Sequence, residues 1–353
     1  MHPDPAIRAA TRWPARQATG PANRADAPPF SRWPARRGPG PVALALTLLL
    51  SALAACTGED AASRESAAPA DSAASRGPLS VVDGANRTVT LDAPARRIVS
   101  MMPSVTEWVI ALDAADRLVA RTDYDHHPAV DTLPSVGGGL TPSVEWLAAR
   151  RPDLVVAWPD APSRSLVARL EAMDIAVYAA PSETIEEGLE TARDLGTLLA
   201  RDSAAGTAIA EVEAGFEAVT AAVAGRGRPE VLFLIGMDPL MAAGPGTFVD
   251  QLLDRAGARN VLADMDILWP QLSLEEVVRR GPEIVIVGSA TRAPLAALRG
   301  RPGWRSVPAV RTGRVHLVDP DLVNRPGPRM DEAAATLARL IHGRLTGLPG
   351  GGP

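Results

Sequence analysis

Ser143-Val144-Glu145-Trp146-Leu147-Ala148-Ala149-Arg150-Arg151-Pro152-Asp153-Leu154-Val155-Val156 is answered 130 residues later by Ser273-Leu274-Glu275-Glu276-Val277-Val278-Arg279-Arg280-Gly281-Pro282-Glu283-Ile284-Val285-Ile286. In both stretches Ser is followed by Glu two residues on, by Pro nine residues on, then by an acid and an apolar run. Ser suits a helix start because its hydroxyl accepts an orphan backbone N–H, and an acid in the first turn faces the positive helix end. Proline cannot continue the helix, and the apolar run after it reads as a buried strand. One such unit carries little weight. Two in the same register predict two lobes with the same helix-into-strand unit in the same place.

Working outward, short apolar runs alternate with helical stretches. Strands are predicted at Arg97–Met101, Leu118–Thr122, Leu154–Trp158, Ile175–Ala179, Val231–Ile235, Ile284–Val287 and Val315–Val318. Strands separated by helices indicate parallel sheets and the α/β class. Two short strands around a turn at Asp83-Gly84 or Ala85-Asn86 precede them. Between the paired units, a proline-free stretch from Ser203 to Val223 predicts one long helix, capped by Asp202 or Ser203 and ended by Gly225. Ala205, Ala208, Ile209, Val212, Phe216, Val219 and Val223 give it an apolar stripe. Its length is about 30 Å at 1.5 Å per residue, enough to bridge two lobes. Gly206 and Gly215 stand against a helix, each costing about 1 kcal/mol relative to Ala.

The 353-residue chain has one cysteine, Cys56, so no intramolecular disulfide is possible. Arg36-Arg37, the apolar run Val42–Leu50 and the small residues before Cys56 are the parts of a secretory signal. Leu53-Ala54-Ala55-Cys56 resembles the bacterial lipobox, in which the cysteine is lipidated. Residues 57–78, mostly Ala, Ser, Asp and Glu, read as a flexible linker. All 36 basic residues are arginine; seven lie in 1–56 with two acids, leaving 29 against 39 acids beyond it, a net of −10. An acidic body argues against nucleic acid as a partner. The expected division is a leader and signal at 1–56, linker 57–78, N-terminal lobe 79–200, interdomain helix 201–226, C-terminal lobe 227–346 and tail 347–353.

No Gly-x-Ser-x-Gly elbow, phosphate loop or dinucleotide fingerprint occurs, so no enzyme is expected and no cofactor. Asp123, Asp125, His126 and His127 leave a metal-dependent site as an alternative reading, while His342 reads as a solvated residue of the last helix. Ligands of α/β sheets bind beyond the carboxyl ends of strands. Aromatic residues are only 4% of the chain, yet Tyr124, Trp158 and Trp269 all fall at such element ends. Rigid aromatics there suit a large, flat, partly apolar ligand.

Arg97-Ile98-Val99-Ser100-Met101-Met102-Pro103-Ser104-Val105-Thr106-Glu107, the paired units, and Arg325-Pro326-Gly327-Pro328-Arg329 together resemble the helical-backbone periplasmic binding proteins that serve ABC importers. The resemblance spans about 79 to 343. It implies two Rossmann-like lobes joined by one long backbone helix, with the solute held between them, and a monomer that works with a permease and an ATPase. The cobalamin-binding branch is nearest in motif; ferric siderophores and haem are alternative solutes, with Tyr124 or His126 as axial ligand for haem. In that branch Tyr124, Trp158 and Trp269 match aromatics around the corrin, and Asp321 and Arg325 match polar contacts. Glu145 and Glu275 match acids that dock onto permease arginines. The sequence departs at Val136-Gly137-Gly138-Gly139-Leu140, where the branch can place another tryptophan, and at Met237-Asp238-Pro239-Leu240-Met241, which lacks its phenylalanine. The expected protein is thus an extracytoplasmic, lipid-anchored solute carrier.

Overall fold

The computed structural model describes residues 77–349 except 141, 160, 289–299 and 301. The leader, Cys56, most of the linker and the last residues of the tail lie outside the described residues. An N-terminal hairpin pairs β1 (Leu79–Val82) with β2 (Thr88–Leu91). Its turn spans both predicted positions: Asp83 N–H donates to Arg87 O at 2.9 Å, and Asn86 takes a positive φ of 58°. Asp83 is buried and accepts from the backbone N–H groups of Ala85, Arg87 and Ala179, which fastens the hairpin to the first lobe.

The first lobe contains β3 (Ile98–Ser100), α1 (Pro103–Ala111), β4 (Leu118–Ala120), α2 (Val144–Ala149), β5 (Leu154–Ala157), α3 (Ala161–Glu171), β6 (Ala176–Ala179) and α4 (Ile185–Leu198). Its four strands are all parallel, in the order β4-β3-β5-β6. Every residue of β3 and β5 is buried, as expected for strands covered on both faces.

The connecting helix is α5 (Asp202–Val223). The predicted cap is corrected: Arg201 occupies the N-cap with no side-chain bond, because α4 ends only three residues earlier and Asp202 is already helical. Ala205, Ile209, Val212, Phe216, Val219 and Val223 are buried along it, as the stripe requires. Each large side chain so buried contributes about 1.5–3 kcal/mol. The two glycines differ. A Cβ on Gly206 would meet open space, whereas one on Gly215 would lie 2.3 Å from Asp331 Oδ2.

The second lobe contains β7 (Glu230–Met237), β8 (Leu240–Ala242), α6 (Phe248–Arg255), β9 (Arg259–Asn260), β10 (Gln271–Leu272), α7 (Leu274–Arg280), β11 (Ile284–Val287), α8 (Pro308–Arg311), β12 (Val315–Leu317), α9 (Pro320–Val323) and α10 (Met330–His342). Here the expectation of a purely parallel sheet is corrected. The order is β10-β8-β7-β11-β12 with β9 beside β7, and β8 runs antiparallel to both of its neighbours, β7 and β10. These pieces are two or three residues long, too short to show a period in sequence. His342 is half-buried rather than solvated, its Nε2 lying 3.0 Å from Ala256 O.

Both repeated units form as predicted. Ser143 Oγ accepts from Trp146 N–H and Ser273 Oγ from Glu276 N–H, each at 3.1 Å. Gly281 ends α7 at a positive φ of 59°. The lobes also meet directly. The segment from Arg325 to Arg329 sits against α1 and α4: Trp108 Nε1–H donates to Pro326 O at 3.1 Å, and a Cβ on Gly188 would lie 2.8 Å from that oxygen.

Candidate solute-binding site

Beyond β4 the chain turns back on itself. Asp125 is buried and its Oδ2 accepts from Thr122 N–H at 2.6 Å and Thr122 Oγ1–H at 2.8 Å. That turn leaves Tyr124 57% exposed and His126 exposed. The glycine run lies beside it. Gly139 has φ +81°, and a Cβ there would come within 2.4 Å of Met101 O, so only glycine fits. A Cβ on Gly138 would lie 3.7 Å from the Tyr124 ring, so the backbone stands beside that ring where a larger residue would fill the space.

Asp321 and Arg325 come from the second lobe. Asp319 caps α9 by accepting from Asp321 N–H at 3.0 Å. Arg325 Nη2 donates to Asp321 Oδ1 at 2.6 Å and, across the lobes, to Tyr124 O at 2.7 Å. Its Nη1 donates to Glu107 Oε1 at 2.9 Å, and Arg329 Nη2 donates to the same oxygen at 3.1 Å. Glu107 is only 5% exposed. His126 Nε2 lies 3.7 Å from Asp321 Oδ2. Burial lowers the pKa of neighbouring His127, against the pull of Glu107. A buried carboxylate flanked by two guanidiniums is satisfied, while either partner alone would be costly.

Tyr124, Asp321 and Arg325 are therefore brought together as expected, but Arg325 uses its guanidinium on protein groups. Trp158 and Trp269 make no hydrogen bond or ring contact with that cluster among the described residues. Trp158 follows β5 directly, half-buried, and its Nε1 is buried with no partner among the described residues. Trp269 donates Nε1–H across the lobes to Glu183 Oε2 at 3.1 Å. Its loop is held by Gly244 N–H donating to Leu268 O and Ala242 N–H to Pro270 O, and leaves Ile267 and Leu268 exposed. Among the described residues no group of three His, Cys, Asp or Glu side chains converges on a metal position. Asp123 accepts from Ser135 and Asp125 from Thr122.

Glu145 and Glu275 both lie in the first turn of helices, α2 and α7, that lead into the parallel strands β5 and β11. They are not equivalent. Glu145 is bonded to Ser143 and Arg169, and its own backbone N–H and the Ser143 hydroxyl hold its pKa below the usual carboxylate range. Glu275 is exposed with no polar partner among the described residues, since Glu276 takes both Arg279 and Arg280. Sequence reasoning missed Glu107 and Glu183. A signal for Glu107 was present: an acid inside the apolar run Val105–Ile110 requires a cation from elsewhere.

Residues 98–322 match the periplasmic binding protein family. An ABC transporter substrate-binding lipoprotein of Bacillus subtilis, described as uncharacterised, is 28% identical over 75% of this chain and 86% of its own length. A cobalamin-binding protein of Halobacterium salinarum is 29% identical over 75% of this chain and 74% of its own. A periplasmic haem-binding protein of Pseudomonas aeruginosa superposes with a TM-score of 0.64 at 28% identity, covering 72% of this chain and 96% of the other. No helix among the described residues is long and apolar enough to cross a membrane. With more than half its length matched, this chain belongs to the periplasmic binding protein family.

Proposed function

We propose that the chain captures a corrinoid of the cobalamin type between its two lobes and hands it to an ABC import permease, held at the membrane by a lipid on Cys56. Membership of the family makes it a solute-binding component of a transporter, on the extracytoplasmic side, in the branch that includes vitamin B12, siderophore and haem carriers. The corrinoid reading rests on the Tyr124–Arg325–Asp321 cluster. It joins residues of both lobes, and its arginine, Arg325, is balanced by the carboxylates of Glu107 and Asp321, while the neighbouring Arg329 is held on Glu107. A neutral ligand rich in amides finds acceptors there, whereas the carboxylates of haem would find no uncompensated cation in that cluster. The likeness to a relative named for cobalamin points the same way. Glu145 and Glu275, one per lobe, form the docking pair, and Trp158 and Trp269 complete the aromatic surround.

One observation favours haem instead. Tyr124 is 57% exposed and its hydroxyl has no partner among the described residues, a geometry open to an iron. Side-by-side calorimetric titration of the purified chain with cyanocobalamin, haemin and ferrichrome separates the readings. Saturable binding of cyanocobalamin at micromolar concentration is expected. Tighter binding of haemin, with an absorption band lost on Tyr124→Phe, would overturn the corrinoid reading.

A further inference from the structure

Glu107 is almost wholly buried, yet it stands directly behind Arg325, which bonds to Tyr124 O and Asp321. It lies on α1 of the first lobe, and its two cations, Arg325 and Arg329, belong to the second. Arg325 then reaches forward to two groups from different lobes: the backbone carbonyl of Tyr124 and the carboxylate of Asp321. The chain of contacts is thus a buried acid, a mostly buried guanidinium, and two groups at the cleft. We propose that Glu107 is a positioning residue for the solute site. By holding Arg325 from behind, it fixes the spacing of Tyr124 and Asp321 across the lobes before any solute arrives.

A guanidinium presents its donors in a rigid plane, so anchoring one edge on Glu107 sets the direction of the other. Arg325 is only 12% exposed at its side chain, so water is a poor substitute for the carboxylate if Glu107 is lost. Without that anchor the remaining partner of Arg325 that carries charge is Asp321, and the guanidinium moves with α9 and releases Tyr124 O. The backbone reinforces the placement: a Cβ on Gly327 would lie 3.2 Å from Glu107 Oε2, so the segment carrying both arginines passes close over the carboxylate. The solute contacts named here rest on the proposed function. The positioning itself does not need the solute to be a corrinoid.

The test uses the full chain as wild type, Glu107→Gln, Glu107→Asp and Trp108→Phe. Trp108→Phe removes a neighbouring cross-lobe hydrogen bond, to Pro326 O, without touching Arg325. Hydrogen exchange of the unliganded proteins is followed over residues 121–131 and 319–325. Both Glu107 variants are expected to exchange about tenfold faster in those segments than wild type and Trp108→Phe. Glu107→Asp serves if Glu107→Gln does not fold. Unchanged exchange in the Glu107 variants, or the same acceleration in Trp108→Phe, overturns the proposal. Titration with cyanocobalamin adds a second readout: the Glu107→Gln loss of about tenfold in Kd should shrink in an Asp321→Asn background. A full, additive loss there marks a merely structural role and overturns the proposal. If wild type binds no cyanocobalamin, the corrinoid reading fails, and the exchange result still decides whether Glu107 positions the site.

Discussion

Two glycines on the connecting helix α5 should respond to the same substitution with opposite sign. Gly→Ala inside a helix gains about 1 kcal/mol from backbone entropy. Gly206→Ala adds its methyl to open space on an exposed face and should realise that gain nearly in full. Gly215→Ala would place Cβ 2.3 Å from Asp331 Oδ2 and 2.5 Å from Asp331 Cβ. Asp331 is 4% exposed on α10, so it cannot swing into water. Moving α10 away costs about 1–3 kcal/mol as overpacking. Set against the gain of about 1 kcal/mol, the net is a loss of up to about 2 kcal/mol. Urea unfolding of both variants reads the difference directly, as midpoints with equal slopes. If Gly215→Ala stabilises as much as Gly206→Ala, the close seating of α10 on α5 is wrong.

Further outcomes follow from the site and its surroundings. Gly139→Ala, at φ +81° and against Met101 O, should displace the loop beside Tyr124 and weaken solute binding about tenfold or more, read by titration. Reversing charge at both Glu145 and Glu275 should abolish uptake by a reconstituted transporter while solute affinity stays unchanged; a loss of affinity would mean the acids were misplaced. His127, His316 and His342 all have pKa values lowered by burial from the ordinary 6.5. The unfolded chain then binds more protons than the folded one, so stability is complete above 6.5 and falls as pH drops below it. A thermal midpoint that declines from about pH 7 to about pH 5, less steeply once the three histidines are replaced by Gln, checks the sign.

Much of the fold was legible because its signals are local. The Ser-x-Glu caps need only the chain on either side, and both hydroxyls accept the expected amide. The stripe on α5 is periodic over 22 residues, long enough to outweigh two glycines. The short strands β8, β9 and β10 were missed because their pairing comes from β7 and from each other, not from an alternation of their own. Gly215 looked like a helix breaker until the buried side chain of Asp331 explained it. Asp321 and Arg325 were named by likeness alone, Tyr124 also by its place at an element end, and likeness did not reveal the bonds of Arg325 that draw them together. Its partner Glu107 lies 218 residues away, and nothing in either segment alone says that they meet. Separation along the chain also hides Glu183, whose contact with Trp269 spans 86 residues.

The proposed solute site lies between the lobes at the Tyr124–Asp321 cluster. The most direct measurement is a crystal structure of the chain grown with cyanocobalamin. The corrin is expected between the lobes, in contact with the Tyr124 ring and with its amides bonded to the Asp321 carboxylate, while Arg325 stays on Glu107. A corrin bound elsewhere, or a cleft left empty at saturating ligand, would contradict it.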